Sequence, residues 1–385
     1  MVPRLPPFRG FEPAIRGSAA KKLLTYKPIL LRLKATNAKT NVPLAPKKNR
    51  WLRVTIVAII AGGIGLYIRN REINTTSTLN PVTFTKFKLL SKEPISSTCS
   101  VFTLRPVEQG PNYEVYQEAW KRGLWSVQFK QPQLQVGRDY TPLPPIREDE
   151  LSIDDAVRDG DNLQFLIRRE PEGEVSGYLH SLKPGAILEF RGPQMEYELP
   201  DSIREVVFIA GGTGIAPALQ AAYAIFGDRA KRDVRMHILW ANRRREDCRG
   251  GKGNSATGMP KRRWSLFLGN SGQKQTTELT EEPHGFTVAQ LEELKAQSRG
   301  QLSVDYFVDE ENTLINEALL SKIIQKADNQ PDHDSTRKLV LVSGPDGFVN
   351  YLAGPKLWRA GTEVQGPLQG LLKQLDLQGW VIWKL

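Results

Sequence analysis

The segment 208–217, FIAGGTGIAP, crowds three glycines and a proline behind an apolar run, and no other stretch limits the fold as tightly. Glycine loses more conformational freedom on folding than any other residue, so such a cluster implies that something approaches the main chain closely. Upstream, EVVFIA reads as a buried strand; downstream, Ala218, Leu219, Ala222, Ile225 and Phe226 fall on one face of a helix. A strand, a glycine turn and a helix form the setting in which backbone N–H groups cradle a pyrophosphate, with Pro217 tolerated in the first helical turn. A tight turn with no ligand is the alternative.

The rest of the chain supplies context for that turn. EVVFIA, VRMHILWAN, LSVDYFVDEE and KLVLVSG are strand-like runs separated by helical stretches such as PALQAAYAIF and TLINEALLSKIIQKA, the alternation of a doubly wound parallel sheet. The preceding half differs. TFTKFKLL, SVFTLRP, WSVQFKQ, LQFLIRR and AILEFRGP are short alternating strands divided by turn residues, which suits a small antiparallel barrel. The change of pattern falls near Pro200, giving a barrel over 81–199 and an α/β domain over 200–385.

Charge bears on partners. The formal net charge is +11, but residues 1–50 hold 12 of the 53 basic residues and one of the 42 acids, so the remainder is balanced at 41 of each. A basic surface for nucleic acid is therefore not implied. The first 50 residues have the composition of a mitochondrial transit peptide, with a basic tail as the alternative. VTIVAIIAGGIGLYI, residues 54–68, is uncharged, with Trp51 before it and Tyr67 near its end, so 51–69 reads as a single transmembrane helix and 70–80 as a linker. The excess of Lys and Arg before that helix places the N-terminus in the matrix and the body in the intermembrane space. Cys99 and Cys248 and the four histidines show no metal-binding or haem-attachment spacing.

Four further motifs carry groups suited to nucleotides. GRDYTPL supplies Arg138 to clamp a phosphate, Tyr140 to lie against a ring or ribose, and Thr141 to offer a hydroxyl. EGEVSGYLHSLKPG reads as a glycine turn opening a short helix, with Ser176 near its start and Pro184–Gly185 at its end. VSGPDGF ends a strand in a flexible turn at the carboxyl edge of the sheet, and Asp309 ends another strand, where a carboxylate accepts ribose hydroxyls and repels a 2′-phosphate. Tyr140 and Thr141 as plain strand residues, Ser176 as a helix cap, Asp309 as a solvated acid and Ser343 as part of a turn are the competing readings.

At these residues the chain resembles the ferredoxin-reductase-type flavoproteins, and within them the NADH-cytochrome b5 reductases, with the motifs in the same order over 81–385. The resemblance implies an FAD-binding antiparallel β-barrel followed by an NAD-binding α/β domain. It implies that Arg138, Tyr140 and Thr141 hold FAD, with Arg138 on the pyrophosphate and Thr141 near the flavin ring. Gly173, Val175 and Ser176 complete the phosphate site, and Gly212, Thr213 and Gly214 meet the nicotinamide dinucleotide. The expected cofactor-binding set also includes Gly211, Pro217, Asp309, Gly344 and Pro345, and Thr141 and Ser343 are the expected catalytic hydroxyls. Ser343 stands where the family usually has a cysteine, and Glu170 where it usually has an aromatic. A basic, glycine-rich insertion near 243–283 reads as a solvated excursion, with a docking patch for an acidic partner as the alternative.

The expected activity is transfer of hydride from NADH to FAD, and then of single electrons to haem or a haem protein, cytochrome c or cytochrome b5. Asp309 favours NADH, while Arg243, Arg244 and Arg245 leave NADPH open. The leader, the single span and the serine variant resemble, more narrowly, the fungal inner-membrane flavoproteins that serve cytochrome c import and haem attachment. An ordinary NADH-cytochrome b5 reductase and a non-catalytic assembly factor that keeps the flavin fold are the alternatives.

Overall fold

The computed structural model describes residues 63, 78–108, 110–145, 161–227, 233–252, 283–328 and 338–385. The expected leader, the membrane helix apart from Gly63 and most of the linker lie outside the described residues. Among the described residues no helix is long and apolar enough to cross a membrane.

The first half forms β1 (Thr85–Pro94), β2 (Cys99–Pro106), α1 (Asn112–Arg122), β3 (Gly123–Gln131), β4 (Val136–Tyr140), β5 (Pro142–Leu143), β6 (Leu163–Arg168), α2 (Glu174–Ser181) and β7 (Ile187–Glu198). Its strands make one antiparallel sheet in the order β4-β3-β7-β1-β2-β6-β5. Inward-facing aromatics fill it: Phe87 and Phe190 stack at 3.8 Å, and Phe129 meets Phe165 edge-on at 5.0 Å.

The second half forms β8 (Glu205–Gly211), α3 (Ile215–Phe226), β9 (Arg235–Asn242), α4 (Phe286–Gln297), β10 (Leu302–Val308), α5 (Glu317–Asp328), β11 (Lys338–Ser343), α6 (Asp346–Ala353), the hairpin strands β12 (Leu357–Arg359) and β13 (Thr362–Val364), and β14 (Trp380–Lys384). Five strands pair in parallel in the order β10-β9-β8-β11-β14. Both faces are covered, which is why β8 is apolar without interruption: Val206, Phe208 and Ala210 join the core shared with α3 and the barrel, while Val207 and Ile209 join the core under α5 and α6. Both sheets belong to one compact unit, Ile60–Leu385.

Two helices are shorter than the sequence pattern predicts, and the C-terminal stretch adds a strand. Helix α5 starts at Glu317 rather than Thr313, because Thr313 bonds back to the N–H of Val308 at 2.6 Å and Asn316 Oδ1 caps the N–H of Leu319 at 2.9 Å. Helix α2 stops at Ser181, short of Pro184. The aromatic C-terminal stretch becomes β14, and the buried Lys384 directs its ammonium to the carbonyls of Pro355, Gly366 and Pro367 at 3.0–3.3 Å.

The glycines of the 208–217 turn answer first to packing. A Cβ on Gly211 would lie 2.7 Å from the Phe348 ring, and one on Gly214 would collide with the carbonyl oxygen of Ser343. The turn after β8 is thereby seated on the turn after β11. Gly214→Ala is expected to destabilise the protein by about 2 kcal/mol or more, since the obstacle is backbone rather than a side chain that can swing away; a urea-unfolding midpoint unchanged from wild type would contradict this packing account.

Candidate functional site

A cleft of about 450 Å³ opens where the barrel meets the carboxyl ends of β8 and β11. The barrel wall is the β4–β5 corner with Arg138, Tyr140 and Thr141, together with Gly173, Val175 and Ser176 at the start of α2. The sheet wall is Thr213, Gly214 and Pro217 from the turn after β8, and Ser343, Gly344 and Pro345 from the turn after β11. Residues from four separated motifs thus face one space. Gly211, Gly212 and Asp309 are not among its walls. Gly211 is sealed against Phe348, and Gly212 turns its carbonyl to the Trp240 indole N–H at 2.9 Å. Asp309 is exposed in a 3₁₀ turn beyond β10, the sheet's edge strand.

Each wall has a physical reason. Tyr140 packs edge-on against Phe129 at 5.2 Å, and burial pushes its hydroxyl up to about 12, so it stays neutral. The Arg138 guanidinium is well exposed, donating to the Gly137 carbonyl at 2.9 Å and standing 3.9 Å from the Glu174 carboxylate. Ser176 is neither the cap of α2 nor free. Its hydroxyl accepts the Glu170 N–H at 3.1 Å and donates to the Gly173 carbonyl at 3.3 Å, pinning the turn that opens the helix. No side chain caps α2, and its first residues, Glu174, Val175 and Ser176, line the cleft together with Arg138. An uncapped helix start, an exposed guanidinium and neutral hydroxyls suit a dinucleotide pyrophosphate and a hydrogen-bonding heterocycle.

A further cation was not anticipated from sequence. Arg168, at the end of β6, lines the cleft beside Gly212 and pairs with Asp247 at 2.8 Å, both side chains largely buried. Asp247 also accepts from the Ser96 hydroxyl at 2.6 Å, and Glu246 from the Ser97 hydroxyl. The β1–β2 turn and the end of β6 are therefore fastened to the α/β domain. This corrects the reading of 243–252 as the start of a solvated excursion: Arg245–Cys248 is a 3₁₀ turn and Cys248 is fully buried. Residues 253–282 lie outside the described residues. Burial raises the Cys99 thiol and pushes Cys248 up to about 11, so neither offers a thiolate at neutral pH. No group of His, Cys, Asp and Glu among the described residues is placed to hold a metal.

Comparison with known proteins agrees with this layout. Residues 125–199 match the oxidoreductase FAD-binding domain and residues 208–249 the oxidoreductase NAD-binding domain. The chain therefore carries FAD- and NAD-binding oxidoreductase domains. It is 31% identical over 166 residues to the cytochrome c mitochondrial import factor of Saccharomyces cerevisiae, covering 40% of this chain and 45% of that protein. It is 30% identical over 174 residues to an uncharacterized FAD-binding protein of Schizosaccharomyces pombe, covering 45% of this chain and 59% of that one. Those matches span only about half of either relative. NADH-cytochrome b5 reductase 2 of Yarrowia lipolytica is 28% identical over 257 residues, covering 65% of this chain and 68% of the relative.

Removing Asp247 leaves Arg168 charged and buried without its partner. Asp247→Ala is expected to cost about 3–5 kcal/mol in stability, and Arg168→Met is expected to recover much of it in the double variant. Additive losses in that double-mutant cycle would show that the two side chains do not act as a pair.

Proposed function

We propose that this chain is a membrane-anchored mitochondrial oxidoreductase that takes hydride from NADH, or NADPH, onto FAD and delivers single electrons to haem or a haem protein, in support of cytochrome c import and haem attachment. The observation that carries the reading is the single cleft in which Arg138 and Thr141 of the barrel face Thr213, Gly214 and Ser343 of the sheet. Two nucleotides can meet end to end only where both domains contribute a wall. The likeness to the yeast import factor supports the cytochrome c assignment, and the apolar segment 51–69 with its basic flank supports an inner-membrane anchor with the body in the intermembrane space.

The cofactors supply hydride acceptance and one-electron release, and the protein supplies position and electrostatics. Arg138 and the first N–H groups of α2 bind the FAD pyrophosphate, completed by the Gly173–Ser176 turn. Tyr140, neutral and braced by Phe129, flanks the ring or ribose. Thr141 and Ser343 present small hydroxyls from opposite walls and orient the reacting rings. Thr213 and Gly214 receive the pyridine nucleotide, with Gly211 and Gly212 shaping the turn and Gly344, Pro345 and Pro217 closing its margin. Asp309 sits beyond the cleft at the β10 end, so it bears on the choice between NADH and NADPH only through the far end of the dinucleotide. No general acid–base triad is needed.

The purified protein is expected to carry a flavin spectrum that NADH bleaches without oxygen and that cytochrome c or haem restores; cytochrome b5 as the faster oxidant would favour the ordinary b5 reductase reading. Absence of bleaching by both NADH and NADPH removes the enzyme reading altogether. Arg138→Ala is expected to weaken FAD binding by roughly 10- to 100-fold, the loss of a charge-assisted hydrogen bond, read by flavin release on dilution. Deleting residues 51–69 is expected to move the protein from the membrane pellet to the supernatant.

A further inference from the structure

The strand segment that carries Thr141 changes partners at that residue. Val136–Tyr140 pairs with β3, between Gln131 and Val127, whereas Pro142 and Leu143 pair with Phe165 and Gln164 of β6. Thr141 is the corner between the two. Strands β4 and β5 are the two ends of the seven-strand order, so a seam runs between β5 and the part of β3 that β4 leaves uncovered. Backbone groups at such a seam need partners, since buried N–H and C=O groups are costly to leave unpaired.

A side chain from the other domain supplies them. Gln220 on α3 is fully buried. Its Oε1 accepts the Trp125 N–H at 2.9 Å, and its Nε2 donates to the Trp125 carbonyl at 3.0 Å and the Pro142 carbonyl at 2.9 Å. Only this orientation of the amide satisfies all three groups, because two of them accept and one donates. Pro142 directly follows Thr141, and Gln220 lies three residues beyond Pro217 on the helix that the glycine turn opens. Thr141, Pro217 and Ser343 line the main cleft and also a smaller cavity of about 190 Å³ that Gln220 helps to wall.

We propose that Gln220 is a positioning residue for hydride transfer: its amide joins the seam of the barrel to α3 and so sets where Thr141 stands relative to the glycine turn and Ser343. The inference rests on the flavin reductase reading above. It assigns Gln220 no contact with cofactor or substrate; the residue acts through the Thr141–Pro142 backbone.

The decisive variant is Gln220→Glu in the full-length, FAD-loaded protein. As a carboxylate it still accepts from Trp125 but sets its second oxygen against two carbonyls; protonated, it donates to one of them. Burial raises the pKa of such a carboxyl. The titratable side chains lining the small cavity are Asp139 on β4, Glu196 on β7, and Lys356 and Glu363 of the C-terminal hairpin region, and Leu385 lines it too; all remain in the wild type, which is measured at the same pH values. Flavin reduction by NADH is expected to slow roughly 10- to 100-fold at pH 8 relative to wild type, the scale of a misplacement of about 1 Å, and to recover as the pH falls to about 6. The long-wavelength absorbance that reports ring-on-ring contact between reduced flavin and NAD⁺ is expected to weaken and recover in parallel.

Gln220→Met, which keeps the volume and drops the amide, covers the case in which the charged variant does not fold. It is expected to slow reduction when Thr141 is present and to add little in a Thr141→Val background. Wild-type rates for Gln220→Glu at both pH values, or full additivity of Gln220→Met with Thr141→Val, overturn the inference alone. A wild-type flavin that neither NADH nor NADPH bleaches overturns it together with the reading beneath it.

Discussion

Between the two sheets runs a helix buried on both sides, with Tyr223 and Ala224 partly exposed. Ala218, Leu219, Gln220, Ala221, Ala222 and Ile225 of α3 are all fully buried, against the parallel sheet on one side and the barrel on the other. The alanines let the barrel come close, and Leu219, Ile225 and Phe226 each contribute about 1.5–3 kcal/mol by leaving water. Because this helix begins at the glycine turn, packing the two domains together also places the turn opposite the β4–β5 corner. The cleft is a consequence of that packing and needs no separate device to hold it open.

The floor of the cleft is made of backbone. Gly214 fits against the Ser343 carbonyl, and Gly211 against Phe348, so the ends of β8 and β11 form one rigid platform. Above it the hydroxyls of Tyr140, Thr141 and Ser343 stand among the charged groups of the walls, Arg138, Asp139, Glu170, Glu174 and Asp346, with Arg168 held by its pair with Asp247. Such a site orients rings and neutralises phosphates. Both thiols, Cys99 and Cys248, are buried and protonated at neutral pH.

How much of this was legible beforehand depends on the span of each interaction. The RDYTPL, GEVS, AGGTGIAP and VSGPDGF motifs are local, and each strand, turn or helix start could be read from a few adjacent residues. Arg168 gave no such signal, since LQFLIRR reads as an ordinary strand end and its partner Asp247 lies 79 residues away. Gln220 was hidden inside an apparently amphipathic pattern. The expected apolar stripe of α3 is buried, and burial extends past it to Gln220 and Ala221, because the barrel covers the side that would otherwise meet water. Arg243–Lys252 looked like the start of a solvated loop on composition, yet its acids find hydroxyl and guanidinium partners on the barrel.

From the chain alone came the barrel-then-sheet order, the nucleotide-binding turns and the balance of charge outside the first 50 residues, because these follow from periodicity, glycine placement and composition over short windows. Only the tertiary structure decided which turns share a space, why Gly211 and Gly214 must be glycine, and which side chains fasten one domain to the other. Those are contacts between residues far apart in sequence, and their partners are chosen by packing geometry that no local window contains.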